Sequence, residues 1–390
     1  MRLSLTTGQT IRLVFLFQAI AGGGLFTRIP DLQTGLGINE ATLGLTLLGQ
    51  TMGAILTFLF AATTLVERAG TRNILLYGIP CMALGQVLMA LSPSAVVLFF
   101  VFAFYGSWFA MTNIAMNVEA DRLEAAEGRR LMSSAHGLWS LGMLTAALVG
   151  TLMRGLDVSP LLHFSIMLPV ALAAALFVVR PMQPAPPRPY AGTAVRRRIT
   201  LPSVLTLALV GFAISGALAE VANRHWSVIY MRDSFDAPAW VDTLTLPAFM
   251  VAQTAGRLFG DPYVTRLGPV RAARLTLLVA VVGLLFIVLA PNLYVALGGF
   301  LMMGIGLSLA YPLATSATTR LGDRPASENV AAFTLTLQVL MLSAPAVMGF
   351  IANGLGIRMT FAIILPSLLL SLVLARFLAP RVTAAEPARA

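Results

Sequence analysis

The feature that most constrains this chain is a series of apolar runs, each about as long as the roughly 20 residues that carry a helix across a bilayer. Twelve such runs can be counted between Ile11 and Leu378. Inside hydrocarbon no water is at hand to pair the backbone N–H and C=O groups, so each run must satisfy them within itself. The predicted fold class is therefore an all-α membrane protein with twelve transmembrane helices.

Composition narrows the function. The chain is 58% hydrophobic and 11% charged, with mean hydropathy +0.85, whereas a soluble domain carries about twice that share of charge. The net charge of +10 would suggest nucleic acid in a soluble protein. Here it is expected to mark loops on the inner face of a membrane, and no nucleic-acid partner is predicted. All 26 basic residues are arginine, which excludes a Schiff-base lysine. Cys81 is the sole cysteine, so neither an internal disulfide nor a thiolate cluster can form. Three histidines without spaced carboxylates make a metal site unexpected. There is no Walker loop, His-Glu-x-x-His or Gly-x-Ser-x-Gly, so neither ATP-driven nor enzymatic chemistry is expected, and no cofactor. The first apolar run has no small-residue cleavage site after it and is expected to be retained.

Residues 181–200 are rich in Pro and Arg, including Pro181, Pro184, Pro186, Pro187 and Arg196 to Arg198. That composition reads as a solvated linker. It divides the chain into a six-helix bundle over 1–180 and a second over 201–390 with a short tail. Arginine counting sets the topology. With the N-terminus inside, Arg68, Arg72, Arg122, Arg129, Arg130, the linker cluster, Arg266, Arg271, Arg274, Arg320 and Arg324 fall on the cytoplasmic side. The outer loops keep only Arg154, Arg232 and Arg358. Both termini are thus expected in the cytoplasm of a bacterial inner membrane. The halves also repeat: Gly70 and Gly268, Gly106 and Gly304, and Asn113 and Tyr311 are each 198 positions apart. Parallel repeats around a central site are one way to build an alternating-access carrier.

Polar residues on apolar helices are the candidate functional groups, because they are costly in lipid unless they face protein or water. The fourth and fifth segments, from Val96 to Leu152, carry Asn113, Asn117, Glu119, His136 and Trp139. An antiparallel hairpin would put Glu119 and His136 at one depth, a possible inner gate; two interfacial polar residues are the plainer reading. Glu220 shares a face of the seventh helix with Asn223 and Arg224 at i+3 and i+4. It is either a structural partner of Arg224 or a carboxyl that loads and releases a proton as its surroundings dry and wet. Arg28 and Asp31 form a similar pair on the first helix, with a structural reading favoured. Gln50, Gln253 and Gln338 are single amides that should face a cavity or a neighbouring helix. Trp108 and Trp139 suit stacking on a ring or ordinary packing. Gly106, Gly137, Gly142, Gly150, Gly304 and Gly306 are expected to allow close helix contact.

Six helices, a basic linker and six more, with the repeated loop, resemble the major facilitator superfamily over essentially the whole chain. The family loop is Gly-x-x-x-Asp-Arg-x-Gly-Arg-Arg. Here Arg68, Gly70 and Arg72 match, while Thr63 replaces the first glycine, Glu67 the aspartate and Thr71 the first arginine. The resemblance implies that Glu67, Arg68, Gly70 and Arg72, with Arg266 and Gly268 in the second copy, help gate the cytoplasmic face. Further stretches resemble the fucose-permease neighbourhood, specifically its YbjJ-like bacterial branch: Asn117-Val118-Glu119, His136 to Gly142, Ala219-Glu220 with Trp226, Gly304 to Ser308, and Tyr311-Pro312. What this implies is a symporter, a proton-linked carrier importing a small polar solute such as a sugar. The branch often has an acid where this chain has Asn113, which cannot take up a proton. Glu220 is therefore the expected coupling acid, with Asn113, Asn117, Arg28, Asp31, Trp139, Asn223, Arg224, Gln253, Tyr311 and Gln338 expected around solute or proton. Efflux of a metabolite, drug or siderophore is the alternative, opposed by the lack of the Gly-Pro pair of drug antiporters in helix five. A ligand sensor without flux is another. Solute, protons and lipid are the expected partners, and a monomer the expected state.

Overall fold

The computed structural model describes residues 5–58, 68–128, 130–186 and 201–379. Ten of its helices are long and apolar enough to cross a membrane. In chain order the helices are α1 (Thr7–Leu36), α2 (Glu40–Leu56), α3 (Thr71–Ala90), α4 (Ala95–Glu127), α5 (Met132–Gly155), α6 (Pro160–Val179), α7 (Val204–Ser234), α8 (Thr245–Leu258), α9 (Pro269–Val288), α10 (Leu293–Thr318), α11 (Glu328–Leu355) and α12 (Ile357–Leu378). The two outside the ten are α2, which runs toward residues 59–67 beyond the description, and α8, which is continued by a separate helix, Gly260–Leu267. The fold is that of an all-α membrane protein with six helices in each half.

Local chemistry starts and stops the helices. Asn39, Ser94, Ser159 and Asn292 accept from backbone N–H groups in the first turn of α2, α4, α6 and α10, satisfying donors that would otherwise be orphaned. Gly128 ends α4 in the left-handed conformation. Large apolar side chains such as Phe100, Phe177 and Leu355 are more than half exposed, as a surface meeting lipid rather than water requires.

The chain groups into two compact units. The first comprises residues 1–194, 227–247 and 345–355; the second comprises 195–226, 248–344 and 356–390. The division cuts through α7 and α11 and just inside the start of α8, rather than following the sequence halves throughout. In the first unit Ile11, Val14 and Phe15 of α1 pack with Ile74, Leu75 and Ile79 of α3, Ala115 and Met116 of α4, and Val178 and Val179 of α6.

The repeat reaches backbone geometry. Gly70 precedes α3 at φ 76°, ψ 150°, and Gly268 precedes α9 at φ 76°, ψ 157°. Few residues other than glycine adopt that region. A β-carbon on Gly106 of α4 would run into the Gln50 carbonyl of α2; one on Gly304 of α10 would lie 2.5 Å from the Phe249 carbonyl oxygen of α8. Both halves thus seat their fourth helix on their second with a glycine at the contact.

Candidate functional site

In the first unit, polar side chains on α1, α4 and α5 form two uncharged chains. Asn113 and Asn117 are one turn apart on α4, and the Asn117 amide donates to the Asn113 carbonyl at 2.8 Å and to its side chain at 3.2 Å. His136 Nε2 of α5 lies 3.1 Å from Asn117 Oδ1, with the imidazole edge-on to Phe15. One turn along α5, the Trp139 indole donates to Gln18 Oε1 at 2.9 Å, and the Gln18 amide donates to Thr112 Oγ1 at 3.2 Å. Gln18 is fully buried on α1. Sequence reasoning passed over it, although a lone amide in an apolar run was the signal that picked out Gln50 and Gln253. His136 stays exposed, and Asn113, Asn117 and Trp139 half-buried.

Glu119 and His136, expected as a pair, do not bond to each other. Glu119 stands two residues beyond Asn117, about 200° further round a helix of 3.6 residues per turn, and so faces away from α5. It is 3% exposed. Its carboxylate accepts from Thr71 Oγ1 at 2.5 Å and from the Ala185 backbone N–H at 2.6 Å. Beside it, the Arg72 guanidinium donates to the Arg180 carbonyl just past α6, where the helix dipole favours a cation. These contacts tie α3, α4 and the residues after α6 together within one unit. Arg68 and Arg266 are exposed; Glu67 and residues 187–200 of the linker lie outside the described residues.

In the second unit the partners of Glu220 also differ from expectation. They come from α8: Gln253 Nε2 donates to Oε1 at 2.8 Å, and Arg257 Nη2 lies 3.4 Å from the same oxygen. Arg257 Nε reaches the Ser308 carbonyl at 3.4 Å. Gln253 and Arg257 are four apart and share one face of α8, so both reach a carboxylate on the facing helix; an i,i+4 pair with Arg224 would give only about 0.2–0.5 kcal/mol. The Glu220 and Arg257 side chains are 39% and 43% exposed, so their attraction is screened and the pair is held loosely. Of the other expected residues, Asn223 is buried on α7 and Arg224 half-buried. Gln338 is exposed on α11, and the exposed Tyr311 ring lies 5.9 Å from Phe333.

Arg28 and Asp31 pair at 3.0 Å, as expected, but within a larger set. Arg154 of α5 reaches the other Asp31 oxygen at 3.1 Å, while Arg28 also donates to His163 Nδ1 at 3.2 Å and to the Val158 carbonyl at 2.9 Å. A guanidinium only donates, so His163 must accept at Nδ1 and carry its proton on Nε2. Arg257, Arg154 and His163 were not singled out as site residues, because the chain gives no local pattern for partners this far apart.

A family model described as Major Facilitator Superfamily matches residues 12–335 and, separately, 227–390. An uncharacterized transporter, y4wD, of Sinorhizobium fredii is 28% identical over 367 residues, covering 93% of this chain and 96% of the relative. An uncharacterized MFS-type transporter of Yersinia pestis is 26% identical, covering 90% of each chain. Among solved structures, the nucleoside transporter NupG superposes with TM-score 0.74 at 13% identity, over 97% of this chain and 100% of its own. A bacterial homologue of the human lysosomal transporter Spinster superposes with TM-score 0.73 at 13% identity, over 95% of each. With family match, span pattern and repeated backbone geometry in agreement, the chain belongs to the major facilitator superfamily and is a secondary transporter, not an enzyme.

Proposed function

We propose that this transporter imports a small, uncharged, polyhydroxylated ring solute together with protons, by alternating access across a bacterial inner membrane. The observation that carries this reading is Glu220: a carboxylate on a membrane helix, half exposed, held by one amide and one loosely paired guanidinium. An acid so placed is costly in a span unless it is paired or faces a watery cavity, and it is there that solute and proton pathways run. Asn113, Asn117 and His136 add uncharged donors and acceptors suited to hydroxyl groups, and Trp139 adds a ring face. A nucleoside transporter with the same fold handles a hydroxylated ring, which is consistent with that solute class.

The test begins with purified protein and a panel of sugars, nucleosides, carboxylates and drugs, since a ligand that binds the folded state raises its apparent stability. Proteoliposome uptake of the panel's ligand then compares wild type with Glu220→Gln, which keeps shape but cannot ionise. The variant should lose uphill uptake driven by a pH gradient and retain exchange between equal pools. Uphill accumulation by the variant would make Glu220 structural.

A further inference from the structure

At the end of the first unit away from Gly70, a short helix, Ala239–Asp242, connects α7 to α8 and lies outside the ten candidate spans. It packs on α5: Thr243 Oγ1 donates to Thr151 Oγ1 at 2.7 Å. Arg232, at the end of α7, reaches α1, donating to Gln33 Oε1 at 3.0 Å and to Thr34 Oγ1 at 3.3 Å. Within this contact Asp242 is 2% exposed, and among the described residues its Oδ1 receives no hydrogen bond. Arg154, one turn beyond Thr151, could serve it. Its Nη2 is committed to Asp31, however, and its Nη1 is buried without an acceptor among the described residues. The geometry leaves a buried carboxyl short of a donor beside a guanidinium that another acid holds.

We propose that Asp242 is a proton-operated latch: with its proton it seats the 239–242 turn on α5, and without it that contact opens. The charged and titratable groups around it are Arg28 and Asp31 of α1, Arg154 of α5, His163 of α6, and Arg232 and Asp233 of α7. Burial pushes the Asp242 carboxyl up to about 6, against the pull of Arg154 and Arg232 and with the push of Asp233 and Asp31. Water reaching the opened contact would return it toward the ordinary carboxylate value of roughly 4. The seated state therefore binds the proton more tightly, and protons favour seating. Seating is fully favoured below the ordinary carboxylate range and loses that advantage as pH rises through about 6. A symporter needs such a device so that this end does not close without its proton.

The latch rests on the alternating-access reading, and its test needs no solute. Full-length protein carrying Cys81→Ala is placed in lipid nanodiscs with a reporter, Thr151→Cys, in the contact. Maleimide labelling is followed between pH 5 and 7.5 and normalised to Leu156→Cys, which is 63% exposed. With Asp242 intact, normalised labelling should rise severalfold with pH, at most about tenfold per pH unit. Asp242→Asn, fixed in the neutral form, should label slowly at every pH, and Asp242→Glu should keep the rise. No labelling at any pH would overturn the latch together with alternating access at this contact. Labelling that does not vary with pH in the parent, or that still rises in Asp242→Asn, would overturn the latch alone.

Discussion

At the scale of single residues, the hydrogen bonds separate two polar groups that lie close in the chain. Asn117 and Glu119 are two positions apart, yet the first belongs with His136 and the second with Thr71 and Ala185. Glu119→Gln replaces one of two carboxylate oxygens, each of which faces one donor, with an NH2 group that cannot accept. It should lower stability by about 2 kcal/mol, the worth of hydrogen bonds to a charged group. Its effect should add to that of His136→Ala, whereas Asn117→Ala and His136→Ala should combine to less than their sum, because they break one shared bond. Denaturation of wild type, the three single variants and the two double variants in one detergent gives the comparison; a coupling of Glu119 to His136 above about 0.5 kcal/mol would restore the gate reading. The identities of these polar groups were legible in the sequence, since each interrupts an apolar run. Their partners were less so. Helical phase could have set Glu119 apart from His136, but Gln253 and Arg257 lie over thirty positions from Glu220, where no periodicity relates two helices.

At the scale of helices, glycine marks contact only where a neighbouring helix comes close. Gly106 and Gly304 meet carbonyls of α2 and α8, Gly142 meets Leu16 of α1, and Gly306 meets Ala280 of α9. Gly137, expected to act alike, has nothing among the described residues within 4 Å of a β-carbon built on it. The pattern of small residues was readable, but which of them face a neighbour depends on helix rotation that a uniformly apolar sequence does not encode. Gly106→Ala should therefore destabilise by about 1–3 kcal/mol through overpacking, and Gly304→Ala likewise. Gly137→Ala should be neutral or stabilising by up to about 1 kcal/mol, because alanine restricts the unfolded chain. Thermal unfolding of the three variants followed by tryptophan fluorescence would rank them. A loss at Gly137 equal to that at Gly106 would mean that some other surface covers Gly137.

At the scale of the molecule, the duplication was legible because it is written twice at one spacing, and it survives as the matched φ and ψ of Gly70 and Gly268. The grouping of 227–247 and 345–355 with the first unit was not legible, since it depends on contacts such as Arg232 with Gln33 between residues about two hundred positions apart. Arginine asymmetry sets only an expectation for orientation in the membrane, and the structure supplies reporters to test it. Leu156, just past α5, and Arg68, before α3, are both exposed and stand at opposite ends of the first unit's helices. Basic residues resist translocation, so we propose that the end bearing Arg68, Arg72 and Arg122 faces the cytoplasm and the Leu156 end the outside. In a Cys81→Ala background, a membrane-impermeant maleimide added to right-side-out vesicles should label Leu156→Cys readily and Arg68→Cys only after the vesicles are opened. Inside-out vesicles should reverse the order. Labelling of Arg68→Cys in intact right-side-out vesicles, with Leu156→Cys protected, would invert the topology and turn the proposed importer's proton gradient against it.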